Sequence, residues 1–446
     1  MAISWTTDQA LALAPDASSA KAGRELSSAG KWVTLGRRGE AIWGECKGSG
    51  ASPYRTQVDL TEPAFRCSCP SRKFPCKHGL GLMLIFAADP AALADAEPPA
   101  WVSEWLASRA ERAEKQTQKA TEPEKPADTA AQAKRAAQRE AKVAGGVQEL
   151  DRWMRDLMRG GFAEIASRLY SYWDTPAKRM VDAQAPGLAR MMREMAGIPA
   201  TGSGWQERLL ERLGRLHLLL QGYGRLETLP AETQADIRTA MGFNVSQEQV
   251  LAEPGVRDRW FVAAQRVEEE EQLRVQRTWL WGEQSGSPAL VLSFAHASQP
   301  IGDGLVPGSL LDADLAFFPG AFPLRALVKT RHEAVPSVSD IPAHGYPTIE
   351  LATAAYAAAL ARSPWLDRYP FALRDVFLAA SEGQWEAQDT EGHALPISPS
   401  FAHGWRLMGI AGGRPVTLWG EWNGASFLPL SAWADGRFYA LPGGAQ

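Results

Sequence analysis

The twelve residues CSCPSRKFPCKH, at 67–78, hold three of the chain's four cysteines and one of its seven histidines. In a chain of 446 residues, this crowding constrains the local fold more tightly than any hydrophobic pattern does. Cys67, Cys69, Cys76 and His78 follow the spacing C-x-C-x6-C-x-H. In an extended segment residues two apart face one side, so Cys67 and Cys69 can address a common point. Cys76 and His78 can do the same if the chain stays extended there. Pro70 and Pro75 bound the six intervening residues and favour a compact loop that returns the second pair to the first. Three soft thiolates and one imidazole converging on a point form a tetrahedral Zn2+ donor set. Four protein ligands leave no position for water or substrate. One structural zinc per chain is therefore expected, its binding energy serving as folding energy for the module.

Other chemistries fit less well. A redox pair uses C-x-x-C, which is absent, and four cysteines are too few for a disulfide scaffold. Cys46, the leftover cysteine, reads as a half-buried free thiol rather than a fifth ligand. Three thiolates and a neutral imidazole around Zn2+ carry a formal −1, which Arg72, Lys73 and Lys77 are placed in sequence to offset. Over 54–79 five basic residues face two acidic ones, a local +3. Arg66, Arg72, Lys73 and Lys77 are thus the candidate contacts for a partner or a phosphate.

At these residues the chain resembles the SWIM zinc finger family. The stretch PAFRCSCPSRKFPCKHGLGLML, preceded by strand-like runs and followed by a helix-like one, fills all four ligand positions. The resemblance implies that Cys67, Cys69, Cys76 and His78 are the metal ligands of a compact β-β-α finger. It also implies a module that binds DNA or protein. Bacterial members with a long C-terminal extension often neighbour genes for MoxR-type AAA+ ATPases and von Willebrand A-domain proteins. The resemblance covers about 40–90 and leaves most of the chain without an assignment.

The expected fold class is α+β, with several domains. Residues 1–108 form the finger module, opened by a hairpin of KWVTL and EAIWGE around GRRG. PYRTQVDL follows as a half-buried strand. Residues 109–146 are rich in Ala, Lys, Glu and Gln without an apolar face, and read as a flexible or partly helical linker. From 147 to 250 the pattern is helical. Val147, Leu150, Met154, Leu157, Ile165, Leu169 and Tyr172 share a face, and WQERLLERLGRLHLLL at 205–220 is a second strong helix. His217 in that helix is read as a packing residue. Residues 251–446 mix short strands with a helix near 348–362 that stops before Pro364. The EEEE run at 268–271 is read as a solvated face or turn.

IWGECKG, LWGEQSG and LWGEWNG, at 42–48, 280–286 and 418–424, repeat one pattern. No base or nucleophile recurs with Glu45, Glu283 or Glu421, so a structural hairpin is the better reading. The net charge of −4 conceals an uneven distribution. Acids and bases balance over 1–108, 109–250 carries +3, and 251–446 carries −7. Such a chain is not built mainly to coat a polyanion. The N-terminus lacks a basic secretory region, and the longest apolar stretch, GLGLMLIFAA, is about half a membrane span, so a cytoplasmic, soluble protein is expected. No G-x-S-x-G, P-loop, dinucleotide or H-E-x-x-H motif is present. His296, His332, His344, His393 and His403 are scattered. The expectation is a non-enzymatic interaction protein that docks a protein partner. The alternative is DNA binding through the finger.

Overall fold

The computed structural model describes residues 5–14, 17–48, 52–60, 64–71, 73–121, 129–165, 168, 170–270, 273–296, 301, 304–335, 345–381 and 383–441. Its N-terminal part begins with helices α1 (Thr7–Ala12) and α2 (Ala17–Glu25). Strands β1 (Trp32–Arg38), β2 (Ala41–Cys46), β3 (Tyr54–Asp59) and β4 (Ala64–Cys67) follow, then α3 (Lys77–Ala88), β5 (Ala94–Asp95) and α4 (Ala100–Thr121). The strands form one sheet in the order β4-β3-β2-β1-β5, with β5 parallel to β1 and the other pairs antiparallel. The expected hairpin is β1–β2, but β1 runs on through the GRRG segment. Arg38 pairs with Ala41, so the turn is Gly39–Glu40.

Helix α3 is apolar on every side because it is covered on every side. Leu82, Met83 and Ile85 join Ile42 and Val58 of the sheet in one core, and α1 and α2 cover the opposite flank. A Cβ on Gly81 would lie 2.8 Å from Leu26 Cβ, so only glycine permits this approach. The sheet's other face carries α4. Ala41 and Trp43 pack on Val102, Gln57 Nε2 donates to the Trp101 carbonyl at 3.3 Å, and Arg109 pairs with Asp59 at 3.2 Å. Alternation along β2 thus buries both its faces, and Cys46 lies in the α3-side core. Cys46 is fully buried rather than half-buried, because the two helical layers leave that strand no solvent side.

Helices α5 (Thr129–Gly160), α6 (Ser171–Asp182), α7 (Pro186–Ala196), α8 (Trp205–Gly224), α9 (Ala231–Met241) and α10 (Gln247–Ala252) follow. The segment 109–146 thus contains the end of α4 and the first half of α5, and the expected boundary at 146/147 falls inside α5. Val143 already sits in the helical core. Glu140 accepts hydrogen bonds from Tyr223 Oη (2.7 Å) and from Arg238, and Arg139 donates to the Gly242 carbonyl at 2.9 Å. These contacts hold the α5 N-terminal half against α8 and α9. The periodic residues 147–172 do not share one helix. Gly161, with φ of +70°, breaks the run after α5, and Tyr172 belongs to α6. Leu169 lies outside the described residues. His217 is not packed: its side chain is 52% exposed, 3.9 Å from Asp151. Leu213, Leu216 and Leu220 turn inward while residue 217 faces out.

The C-terminal region has two sheets. Strands β6 (Val256–Glu270), β7 (Leu273–Gly282), β8 (Pro288–His296), β9 (Leu310–Phe317) and β10 (Arg325–Val335) close a barrel in the order β10-β8-β7-β6-β9. Helix α11 (Ile349–Arg362) comes next, capped by Thr348. Then β11 (Tyr369–Ser381), β12 (Gln384–Gln388), β13 (Ala394–Pro396), α12 (Gly404–Ala411), β14 (Val416–Trp422), β15 (Phe427–Ala434) and β16 (Arg437–Ala440) complete the described elements. The strands make a six-stranded sheet, β13-β12-β11-β14-β15-β16. Barrel and sheet share a core, in which Phe261 meets Trp419 at 5.4 Å and Phe438 at 5.8 Å between ring centroids. The fold is mixed, with a β-rich N-terminal module, a helical middle and a β-rich C-terminal region. Among the described residues no helix is long and apolar enough to cross a membrane.

Candidate metal centre

Four side chains meet where β4 ends and α3 begins. Cys67 is the last residue of β4, Cys69 lies in the loop beyond it, Cys76 is the N-cap of α3, and His78 is its second residue. Their donor atoms all lie within 4.8 Å of one another. His78 turns Nδ1 toward the thiols, 3.7 Å from Cys67 Sγ and 3.9 Å from Cys76 Sγ. A tetrahedron with Zn–S of ~2.3 Å and Zn–N of ~2.0–2.1 Å has an S···N edge of about 3.6 Å. The observed separations are close to that edge. The second pair reaches the site differently from expectation. The chain is extended only as far as Cys76 (φ −75°, ψ 166°) and then turns helical, so the first turn of α3 presents His78.

The polypeptide holds these donors firmly. Thr56 Oγ1 lies 3.2 Å from Cys67 Sγ, and the Tyr54 ring sits 4.9 Å from the His78 ring. Cys76 and His78 are buried. A hydrogen bond from Cys76 draws the Cys67 thiol down to about 4, against burial. Giving that bond, and being buried, pushes Cys76 up, and burial pushes Cys69 up as well. The protein alone thus favours one thiolate here. A divalent cation makes three tolerable, which couples metal binding to proton release. Burial, followed by the nearby Cys67, also raises the Cys46 thiol, and Cys46 is outside the donor group. Cys67, Cys69, Cys76 and His78 therefore form a closed site for one structural zinc.

The basic residues grouped around this motif are divided by the sheet. Thr56 and Cys67 face the metal, so alternation sends Arg55 and Arg66 to the other face. Arg66 pairs in register with Gln57, which bonds to α4, and Arg55 lies over the Trp101 ring and 3.5 Å from Glu45. Lys73 and Lys77 stay exposed on the metal side, where Lys73 Nζ donates to Ser18 Oγ at 2.9 Å. Arg72 lies outside the described residues. Lys47 and Ser18, which also line the cleft beside the metal, are distant in sequence and were not anticipated.

The three tryptophan-glycine-glutamate copies share a construction. Each glycine sits where a Cβ would collide, at Gly420 with the Leu428 carbonyl oxygen 2.1 Å away. Each glutamate pairs with an arginine: Glu45 with Arg55 and Glu283 with Arg259 (3.2 Å) on a neighbouring strand of the same sheet, and Glu421 with Arg277 of the barrel at 3.1 Å. Only the third is buried. Glu421, 4% exposed, accepts from Arg277, from Trp279 Nε1 at 2.8 Å and from Arg368 at 3.2 Å. Glu268 joins the cluster, 3.0 Å from Arg266 and 2.9 Å from Arg368, so the acidic run at 268–271 is not simply a solvated face. The repeated glutamate and the acidic run were the sequence signals for this network. Of the scattered histidines, His332 lies 2.7 Å from Asp314 and His393 lies 3.3 Å from Asp389.

Comparison with known families agrees with this geometry. Residues 54–85 match the SWIM zinc finger, spanning β3, β4, the four donors and most of α3. Residues 138–241 match the SWIM-associated four-helix bundle domain, from within α5 to the end of α9. No curated protein and no solved structure matches the chain. With a closed Cys3His centre in the finger, the chain carries a SWIM zinc finger and, later in sequence, a SWIM-associated four-helix bundle domain.

Proposed function

We propose that this is a non-enzymatic interaction protein whose zinc-ordered finger docks a protein partner. The observation that carries the reading is the saturated donor set. Four protein ligands order the β4–α3 junction and leave no coordination position for a substrate. The finger then acts as a shaped surface, and the helical and C-terminal regions supply further area. A MoxR-type AAA+ ATPase with a von Willebrand A-domain protein is the partner system to test first. Nucleic acid is the second reading, favoured by the exposed Lys73 and Lys77. Against it stand the net charge of −4 and the placing of Arg66 on the opposite face.

Affinity capture on the zinc-loaded full chain, with and without nuclease, tests the proposal. A protein retained after nuclease treatment and lost with His78→Ala is the expected result. Sub-micromolar, sequence-selective duplex binding that survives ~200 mM salt, with no retained protein, would replace it with the DNA reading.

A further inference from the structure

A cavity of about 280 Å3 lies at the joint between the helical bundle and the C-terminal region. Met191 and Met195 of α7, Ile198 just beyond it and Leu216 of α8 form the bundle's side. Trp365, in the short link between α11 and β11, forms the other. The link is held from both sides. Trp365 packs on the bundle core, while the next residue, Leu366, packs on the core of the C-terminal region. Trp365 Nε1 donates to the Arg215 carbonyl at 3.2 Å, and Asp236 of α9 accepts from the Ala321 amide at 3.3 Å. These contacts fix the walls, so the indole cannot swing in and fill the space. Proteins pack their apolar side chains closely, and water is a poor partner for walls of this kind.

Two properties of the walls select the occupant. The first is charge. The charged side chains at the rim are engaged within the chain: Arg212 with Asp367 at 3.4 Å, Arg215 with Glu211 at 2.8 Å, and Glu194 with Arg190 at 3.6 Å. A charged ligand would have to shed hydration among apolar side chains and draw one of these pairs apart, whereas a neutral ligand leaves them intact. The second is ring chemistry. An indole favours an offset or edge-on aromatic neighbour, and two thioethers give favourable sulfur–ring contacts on adaptable stems. The volume lies just below the usual range for drug-sized ligands, which suits one ring or two fused rings. Domain joints are also where such sites concentrate. We infer that this cavity binds a small, neutral aromatic molecule, held between α7, α8 and Trp365. The site is separate from the zinc finger and does not depend on the docking reading.

The test uses the zinc-loaded full chain with isotope-labelled methionine methyl groups, and four probes that share one ring. Indole is neutral, indoleacetate is anionic and tryptamine is cationic. N-acetyltryptophanamide carries the ring on a peptide unit, as a partner's side chain would. Methyl NMR reads the ring-current shift at each methionine, assigned through single methionine-to-leucine variants. Indole should shift the Met191 and Met195 methyls saturably and leave Met83, in the finger core, unmoved. Met191→Trp places a ring in the space and should weaken indole binding, read at the Met195 methyl, by about tenfold or more. Ile198→Phe should give a smaller loss in the same direction. Met191 and Ile198 are half-buried at the cavity wall, so both substitutions fill space rather than crowd the core. Indoleacetate and tryptamine should each bind more weakly than indole. Absence of saturable shifts at Met191 and Met195, unchanged binding in the filled variants, or tighter binding of either charged probe would overturn the inference. Tighter binding of N-acetyltryptophanamide than of indole would also overturn it, and would assign the cavity to a partner's aromatic side chain.

Discussion

Replacing Glu421 by glutamine keeps its shape and removes its charge from the cluster joining the barrel to the six-stranded sheet. Arg277, Arg368 and the Trp279 indole all contact this carboxylate directly, and Arg266 lies 3.7 Å away. Without its charge, Arg266 and Arg368 would keep Glu268 while Arg277 would lose the carboxylate it contacts, and Arg266 Nε has no hydrogen-bond partner among the described residues. Removing one member of a buried ion pair costs about 3–5 kcal/mol, because the remaining charge stays desolvated. For a unit of this size each kcal/mol lowers Tm by roughly 2–4 °C. Calorimetry should therefore show the transition of the C-terminal region falling by roughly 6–20 °C in Glu421→Gln. The effect has a pH signature. Burial alone would raise the Glu421 carboxyl, but Arg277 and Arg368, with the bonds from Trp279 and Arg277, hold it below the ordinary carboxylate range. A depressed folded value contributes stability that is fully present above the unfolded value of about 4.3 and is lost as pH falls through the folded value. The gap between wild type and variant should accordingly be wide at pH 7 and narrow as pH falls below about 4.3 toward the depressed folded value. A loss under about 1 kcal/mol, or a gap that does not change with pH, would refute the reasoning.

Gly420→Ala should destabilise the same region strongly, since a Cβ would lie 2.1 Å from the Leu428 carbonyl oxygen. Gly409→Ala, which meets nothing within 4 Å, should not, and paired thermal melts compare the two. Cys46→Ser should leave metal content unchanged in elemental analysis, because Cys46 lies outside the donor group. Trypsin should cut first within 109–138, where the sequence offers no apolar face, and release an N-terminal fragment that keeps its zinc. First cleavage inside α8 would contradict that reading.

The metal site was legible because all its donors fall within twelve residues, and ligand spacing is a local property. The helices at 205–220 and 348–362 were legible through their own periodicity. Contacts made at a distance were not. The Glu421 network joins residues 144 apart, and only the packing of barrel on sheet brings Arg277 to Glu421. Cys46 reads as half-buried because nothing local in the sequence shows that α3 and α4 cover both faces of its strand. The separation of Arg66 from Lys73 was available in principle. The alternation that turns Cys67 toward the metal turns Arg66 away, while local charge counting ignored faces. The extent of helix within 109–146 is not written in an apolar stripe, because Arg139 and Glu140 hold the N-terminal half of α5 through polar contacts.

Elemental analysis of the purified full-length chain tests the central claim most directly. One zinc per chain is the predicted content, with loss of that zinc in Cys69→Ser, Cys76→Ser and His78→Ala, since each removes one of four donors in a closed shell. Zinc-free wild type, or full zinc retained by Cys76→Ser, would contradict it.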